Sequence, residues 1–274
     1  MTTATTVWRT LLTELLDTGL PTAQDSGGAE WRGTTSYEIL ACKTVWPMNR
    51  AVVLCPGRRA GYRFMAAEAA FILSGSNRLA EMTPYAPALT KLSDDGEFLT
   101  GAYGPRYLDD LPYVLGALSR DPATRQAVLS IWRPRPGPSK DISCTLALQL
   151  LIRPVNGRPT IHCVATMRSS DAWMGITYDV HAFSMIAAHV ALHLRGRLGP
   201  LSLGNLYLIA GSQHLYAIDR DVAAVCAARE DELVDLKPLD LADFARPADL
   251  ISHLWAFARK EYGDLNGTWL RELA

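Results

Sequence analysis

Residues 142–153 read ISCTLALQLLIR and residues 160–167 read TIHCVATM, two segments that run apolar or alternate over strand length. Asn156-Gly157 between them is a two-residue turn signal, so the pair predicts a β-hairpin. Downstream, Phe183 to Leu194 reads as a long apolar helix and Leu206 to Gly211 as a further strand. Upstream, Val7, Leu11, Leu12, Leu15 and Leu16 recur at helical spacing, which predicts a packed helix over Thr6 to Asp17. Ser36 to Cys42 and Ala51 to Cys55 read as short strands. Phe64 to Leu73 reads as a buried helix closed by Gly75, and Asp110 to Arg120 as another helix. Asp121-Pro122 then turns into a strand over Ala127 to Trp132, while residues 21–33 and 134–138 carry loop composition. Helices and strands mix without a regular βαβ repeat or an internal repeat, and one α+β domain spanning residues 1–274 is the economical reading.

The chain of 274 residues carries 27 Lys and Arg against 28 Asp and Glu, a net charge of −1, with 49% hydrophobic residues. Such a balance excludes a general nucleic-acid binder and a polybasic membrane-surface domain, so any anionic ligand is met by a few local arginines. Cys42, Cys55, Cys144, Cys163 and Cys226 are odd in number and have no C-x-x-C pair, which fits a reducing cytoplasm. The start MTTATTVWRTLLTELL is not a signal peptide pattern, and no stretch is apolar enough to span a bilayer. There is no G-x-G-x-x-G, Walker A motif, H-E-x-x-H or paired-Cys zinc spacing. His189 and His193 share a helix face, but no third ligand or intervening glutamate supports a metal, and none is expected.

What stands out is a set of polar residues embedded in apolar segments: Cys144 and Gln149, then Arg168-Ser169-Ser170-Asp171, Gly175, Asp179, and Gly211-Ser212-Gln213-His214-Leu215-Tyr216. Upstream of these come Glu68 before Phe71-Ile72-Leu73 and Gly75, Tyr103-Gly104, and Asp121-Pro122 followed by Arg125 and Ser130-Ile131-Trp132. In this order they resemble the thymidylate synthase family over roughly residues 30 to 220. Within it, the chain resembles the cytidylate hydroxymethylase branch, typified by the CMP hydroxymethylases of nucleoside-antibiotic pathways such as that of mildiomycin. The resemblance implies a large mixed β-sheet packed with helices and a sheet-to-sheet homodimer.

The chemistry can be built from the residues. A pyrimidine C5 is a poor nucleophile until a thiolate adds at C6, and Cys144 is the candidate thiol. Positive charge has to lower its pKa, and Arg168, which resembles the family arginine that contacts both phosphate and cysteine, is the candidate source. Glu68, a carboxyl in an apolar helix, is expected to have a raised pKa and to relay protons to the base.

The resemblance implies the remaining roles. Tyr103 assists removal of the C5 proton. Arg32, Arg168 and Ser169 hold the substrate phosphate, with Arg125 donated across the dimer interface. Gln149, His214 and Tyr216 belong to the nucleotide site, the last two at the ribose 3′-hydroxyl. Asp171 and Gly175 belong to the site of 5,10-methylenetetrahydrofolate, the one-carbon donor. The C-terminus at Ala274 matches in position the family's closing tail.

Departures from the family pattern decide the substrate. Asp179 stands where a uracil-reading member carries Asn. A carboxyl accepts from the cytosine N4–H and, when protonated, donates to N3, so Asp179 favours cytosine. Thr145 replaces the usual His after the nucleophile, Leu89 and Leu92 replace folate-packing tryptophans, and Arg125-Gln126 replaces paired arginines. Smaller side chains over the pyrimidine admit water, and a C5 methylene that meets water becomes hydroxymethyl. Lys140, four residues before Cys144, and His181, beside Asp179, are accessory candidates. The expected activity is hydroxymethyl transfer to C5 of CMP or dCMP; methylation of dUMP and a non-catalytic nucleotide-binding role are the alternatives.

Overall fold

The structure, a computed structural model, describes residues 2–23, 35–133, 137–229, 236–265 and 267–274, apart from the side chain of residue 264. Arg32 and most of the loops read at 21–33 and 134–138 lie outside these residues.

A mixed sheet of six strands organises the chain, built from β1 (Leu20–Ala23), β2 (Thr35–Pro47), β3 (Val128–Ser130), β4 (Thr145–Val155), β5 (Arg158–Asp171) and β6 (Ser202–Tyr216). The spatial order is β1-β2-β6-β5-β4-β3, antiparallel throughout except for the parallel β5–β6 pair. The predicted hairpin is β4–β5. Asn156 and Gly157 take φ of 51° and 76°, the left-handed conformations that a tight two-residue hairpin turn requires. Parallel strands cannot be joined by a hairpin, and the helix 176–198 makes the crossover from β5 to β6. A single βαβ unit therefore sits inside an otherwise antiparallel sheet.

The helices are α1 (Ala4–Thr18), α2 (Tyr62–Leu73), α3 (Leu79–Met82), α4 (Gly104–Arg120), α5 (Ile176–Leu198), α6 (Arg220–Ala227), α7 (Pro247–Arg259) and α8 (Trp269–Glu272). Gly75 follows α2 with φ of 74°, a conformation in which a side chain is strained. Helix α5 is buried along most of its length. Phe183 is fully enclosed, and burying one such side chain is worth about 1.5–3 kcal/mol.

One face of the sheet is core. Leu148 and Leu150 on β4, Cys163 and Ala165 on β5, and Leu208 and Ala210 on β6 are all fully buried. The alternate residues Leu151, Val164, Tyr207 and Ile209 form a half-buried opposite face.

The structure corrects several expectations. Ala51 to Cys55 is not a strand. Val52, Val53 and Cys55 are apolar because they are buried, and the amide of Leu54 is satisfied by Thr5 Oγ1 in place of a sheet partner. The segment then enters a short 3-10 turn, Pro56–Arg58. The strand expected at Ser36 to Cys42 and the helices expected from Asp110 and from Phe183 are parts of longer elements, β2, α4 and α5, whose remaining residues are also partly buried.

Among the described residues, no helix is long and apolar enough to cross a membrane.

Candidate active site

A cavity of about 300 Å³ opens where the start of β4 meets α2, α4 and α5, and Glu68, Tyr103, Cys144 and Asp179 all line it. Four segments far apart in sequence thus deliver the four residues expected to act on the base.

Cys144 lies at the entry to β4, its carbonyl accepting from the amide of Arg168 at 2.8 Å. The Arg168 guanidinium donates from Nε to the carbonyl of Ser143 at 3.0 Å and from Nη2 to that of Ile142 at 3.1 Å, so it fixes the approach to the nucleophile. Burial pushes the Cys144 thiol above its ordinary range. Arg168 and a hydrogen bond from Ser169 pull it down, and the charge of Asp179 pushes it up. The expected lowering is thus not the net result. One guanidinium already engaged with carbonyls is outweighed by the loss of hydration.

The Tyr103 hydroxyl accepts from the amide of Thr145 at 3.3 Å and from its Oγ1 at 3.0 Å. Burial raises its pKa further than the nearby charges of Asp179 and Cys144 do. The residue after it must be glycine, because a Cβ on Gly104 would lie 2.5 Å from the backbone oxygen of Ser76.

Glu68 projects from α2 with Oε2 closed off from solvent and, among the described residues, without a hydrogen-bond partner. Burial, then the charge of Asp179, lifts it from 4.5 to about 8. Asp179 sits in the first turn of α5, where the helix dipole favours a carboxylate by about 0.3–1 kcal/mol. Burial overrides that preference and, with the charge of Asp171, raises Asp179 from 3.8 to about 7.

The entry to α5 is held firmly. Asp171 Oδ1 accepts from the amides of Trp173 and Met174 at 2.8 and 3.0 Å. Trp8 Nε1 donates to the carbonyl of Ala172 at 2.7 Å, and Arg58 Nε donates to that of Trp173 at 2.6 Å. Gly175 leads into the helix, where a Cβ would come 3.4 Å from Asp179 Oδ2.

Leu89, Leu92, Lys140 and Ala182 also line the cavity. The remaining candidates lie apart from it. Gln149 stands between the fully buried Leu148 and Leu150, so it faces the other side of the sheet, and its Nε2 donates to the carbonyl of Arg125 at 2.7 Å. Arg125 is exposed on the turn before β3. His214 and Tyr216 project to the core face of β6 with their rings 5.2 Å apart, beside Asp171 in register with His214. Ala274 is exposed, while α8 before it packs Trp269 against His181. His181, an accessory candidate beside Asp179 in sequence, does not line the cavity and stacks near Trp269. His189 is engaged by the hydroxyl of Tyr107 at 2.6 Å.

Two residues were not singled out from the sequence. Arg106, buried, donates to the carbonyls of Gly101 and Thr100 at 3.1 and 2.9 Å and to the hydroxyl of Ser143, joining the segment before Tyr103 to the segment before Cys144. Asp141 Oδ2 closes the same junction by accepting from the amide of Gly101 at 2.7 Å. A charged residue one before the buried Tyr107 was the available signal for Arg106.

Comparison with known proteins matches the thymidylate synthase family over residues 6–246. A deoxyuridylate hydroxymethyltransferase of Bacillus phage SP01 is 30% identical over 193 residues, 63% of this chain and 48% of that protein. A thymidylate synthase of Agaricus bisporus is 22% identical over 156 residues, 52% of this chain and 51% of that protein. The chain thus spans about half the length of these curated relatives.

Proposed function

The chain belongs to the thymidylate synthase family, and from that premise we propose that it acts, as one catalytic domain, as a hydroxymethyltransferase on C5 of CMP or dCMP through a Cys144 adduct at C6. The observation that carries this reading is Asp179, which opens into the same cavity as Cys144 and retains its proton up to about pH 7. A protonated carboxyl offers one donor and one acceptor, the complement of N3 and N4–H on cytosine.

The apolar wall supplied by Leu89, Leu92 and Met82, beside the unpartnered Oε2 of Glu68, fits a flat heteroaromatic donor such as 5,10-methylenetetrahydrofolate. When bound, that donor supplies a carbon at the methylene level of oxidation. Cys144 forms the bond to C6 and sends the ring electrons to C5, which bonds to that carbon. Tyr103, its hydroxyl held by Thr145, is placed to assist loss of the C5 proton, and Glu68 carries protons between water and the base. Leu89 and Leu92 leave space in which, once the bond from that carbon to the folate nitrogen breaks and tetrahydrofolate leaves with the bonding pair, water adds to the exocyclic methylene, giving hydroxymethyl. Expulsion of the Cys144 thiolate then restores the ring.

Arg168 and Ser169 stand nearest the nucleophile for the substrate phosphate, with Arg32, His214 and Tyr216 completing the nucleotide site and Asp171 and Gly175 the folate site. The half-buried sheet face of Leu151, Val164, Tyr207 and Ile209 supports a sheet-to-sheet homodimer. Gln149 and the turn of Arg125 share that face, which supports the donation of Arg125 to the partner's site. We also assign the protein to the cytoplasm, and the CMP hydroxymethylases of antibiotic pathways remain the branch it resembles.

The phage relative favours a second reading, hydroxymethylation of a uracil deoxynucleotide. Mass spectrometry of products from CMP, dCMP and dUMP with methylenetetrahydrofolate separates the two. Hydroxymethylated cytosine nucleotide is expected. Turnover of dUMP alone rejects the argument from Asp179.

A further inference from the structure

Among the described residues three carboxyl side chains line the catalytic cavity, those of Glu68, Asp141 and Asp179. The first and last have work in the mechanism and Asp141 has none, although hydroxymethyl formation contains a step that needs a base. Water adds to a carbon as it gives up a proton, and a carboxyl that already holds its proton cannot take another. Glu68, pushed up to about 8, is in that position at neutral pH, and Asp179, pushed up to about 7, commits its proton to N3 of the base.

Asp141 differs from both in its surroundings. Burial raises it, helped by the charge of Asp94, but the amide of Gly101, which donates to Oδ2 at 2.7 Å, and the charge of Arg106 favour its ionised form. At Glu68 and Asp179 the neighbouring charge that acts on each is negative, so burial is reinforced there. Lys140, adjacent in sequence, and Arg133 are further cations on the cavities that Asp141 lines.

Asp141 is also placed to meet water. It is half-buried, and it lines a second cavity of about 300 Å³ together with Thr100, Arg106, Arg133 and Ser139. Residues 141–143 are wall to both cavities, and each cavity has room for several waters. Cys144, which carries the substrate ring, follows three residues later, so the two Cα atoms lie within about 11 Å of each other.

We propose that Asp141 is the general base of the hydroxylation step, taking a proton from the water that attacks the exocyclic methylene. The inference rests on the hydroxymethyl transfer proposed above, and not on which pyrimidine is the substrate. The water oxygen bonds to the methylene carbon, the electron pair of the exocyclic double bond moves into the ring, and one water proton passes to the Asp141 carboxylate. The ring pair then expels the Cys144 thiolate from C6, and Asp141 returns its proton to solvent.

The test makes two counts on the full chain with methylenetetrahydrofolate. Nucleotide tritiated at C5 releases tritium when the C5 proton leaves, before water adds, and mass spectrometry counts the hydroxymethyl product. The nucleotide is CMP, dCMP or dUMP, whichever the wild type converts. Asp141→Asn keeps an oxygen for the Gly101 amide, and its hydroxymethyl product per tritium released is expected to fall at least about tenfold, with Asp141→Glu restoring part of the ratio. Added 2-mercaptoethanol is expected to capture the stranded methylene as a thioether, because a thiolate attacks without a base. If Asp141→Asn does not fold, the wild-type ratio is followed from about pH 6.5 to about pH 4.5, below the titrations of Glu68 and Asp179, and is expected to fall toward the acid end. Equal loss of tritium release and product in the variant, an unchanged ratio or a flat pH profile each overturn the proposal. A wild type that hydroxymethylates none of the three nucleotides overturns the parent reading, a result distinct from a working wild type whose variant loses both counts together.

Discussion

The carboxyl groups of Glu68 on α2 and Asp179 on α5 open into one cavity, and the charge of Asp179 adds to burial in raising Glu68 to about 8. Each is harder to ionise than a carboxyl in water, and the two discourage each other from ionising together. The pair therefore stores protons beside the thiol at neutral pH.

A folded state that binds a proton more tightly than the unfolded chain loses stability as that proton leaves. For Glu68 the contribution is complete below 4.5 and is lost as pH rises toward about 8. Glu68→Gln removes this dependence. Urea melts between pH 5 and pH 8, roughly the span of that titration, are expected to show the wild type losing on the order of a few kcal/mol relative to the variant. Parallel curves would count against a buried, protonated Glu68.

Base selection has its own pH signature. Above about pH 7 Asp179 loses the proton that it donates to N3. The ratio of kcat/KM for CMP over UMP should fall through that range, since a carboxylate accepts from the N3–H of uracil. Asp179→Asn should lower the ratio by about 1–3 kcal/mol, roughly fivefold to a hundredfold, and make it independent of pH. A variant that keeps the wild-type ratio places selection elsewhere.

Cys144→Ser leaves the cavity in place and supplies a far weaker nucleophile. Nucleotide should still bind, measured by calorimetry, while turnover and any covalent species in denaturing mass spectrometry disappear. Persisting turnover would end the mechanism proposed for this chain.

Arg106 joins the carbonyls of Thr100 and Gly101 to Ser143. Arg106→Met keeps the stem and strips the donors, stranding buried acceptors, at an expected cost of about 2–4 kcal/mol in denaturant unfolding. Because the junction sets the distance between Tyr103 and Cys144, kcat should fall more than substrate affinity. Equal stability in the variant would show that water replaces the guanidinium without loss.

Gly104→Ala places a methyl 2.5 Å from the backbone oxygen of Ser76, where no flexible side chain can give way. A loss of about 1–3 kcal/mol is expected, together with displacement of Tyr103, read as a lowered Tm and reduced kcat. An unchanged Tm would mean that the α2–α4 contact is softer than its geometry.

The amino-acid order by itself determined the parts whose physics is local. The β4–β5 hairpin follows from Asn156-Gly157, since few dipeptides tolerate two consecutive positive φ values. Helix α1 follows from apolar residues at helical spacing, and α2 from an apolar run closed by Gly75. Glu68 stood out as a carboxyl among apolar neighbours, whereas Tyr103, Cys144 and Asp179 were picked out by the order of motifs that resembles the family. Only the tertiary structure decided what depends on encounters across the chain. It alone showed that Ala51 to Cys55 is buried without a strand partner, that Arg106 bridges two site segments, and that His181 lies against Trp269 and outside the lining of the catalytic cavity. It also reversed the expected sign for the Cys144 thiol. The shift of an ionisable group is set by how much water the folded chain removes from it, and hydration lost to neighbours distant in sequence leaves no mark on the residues beside it.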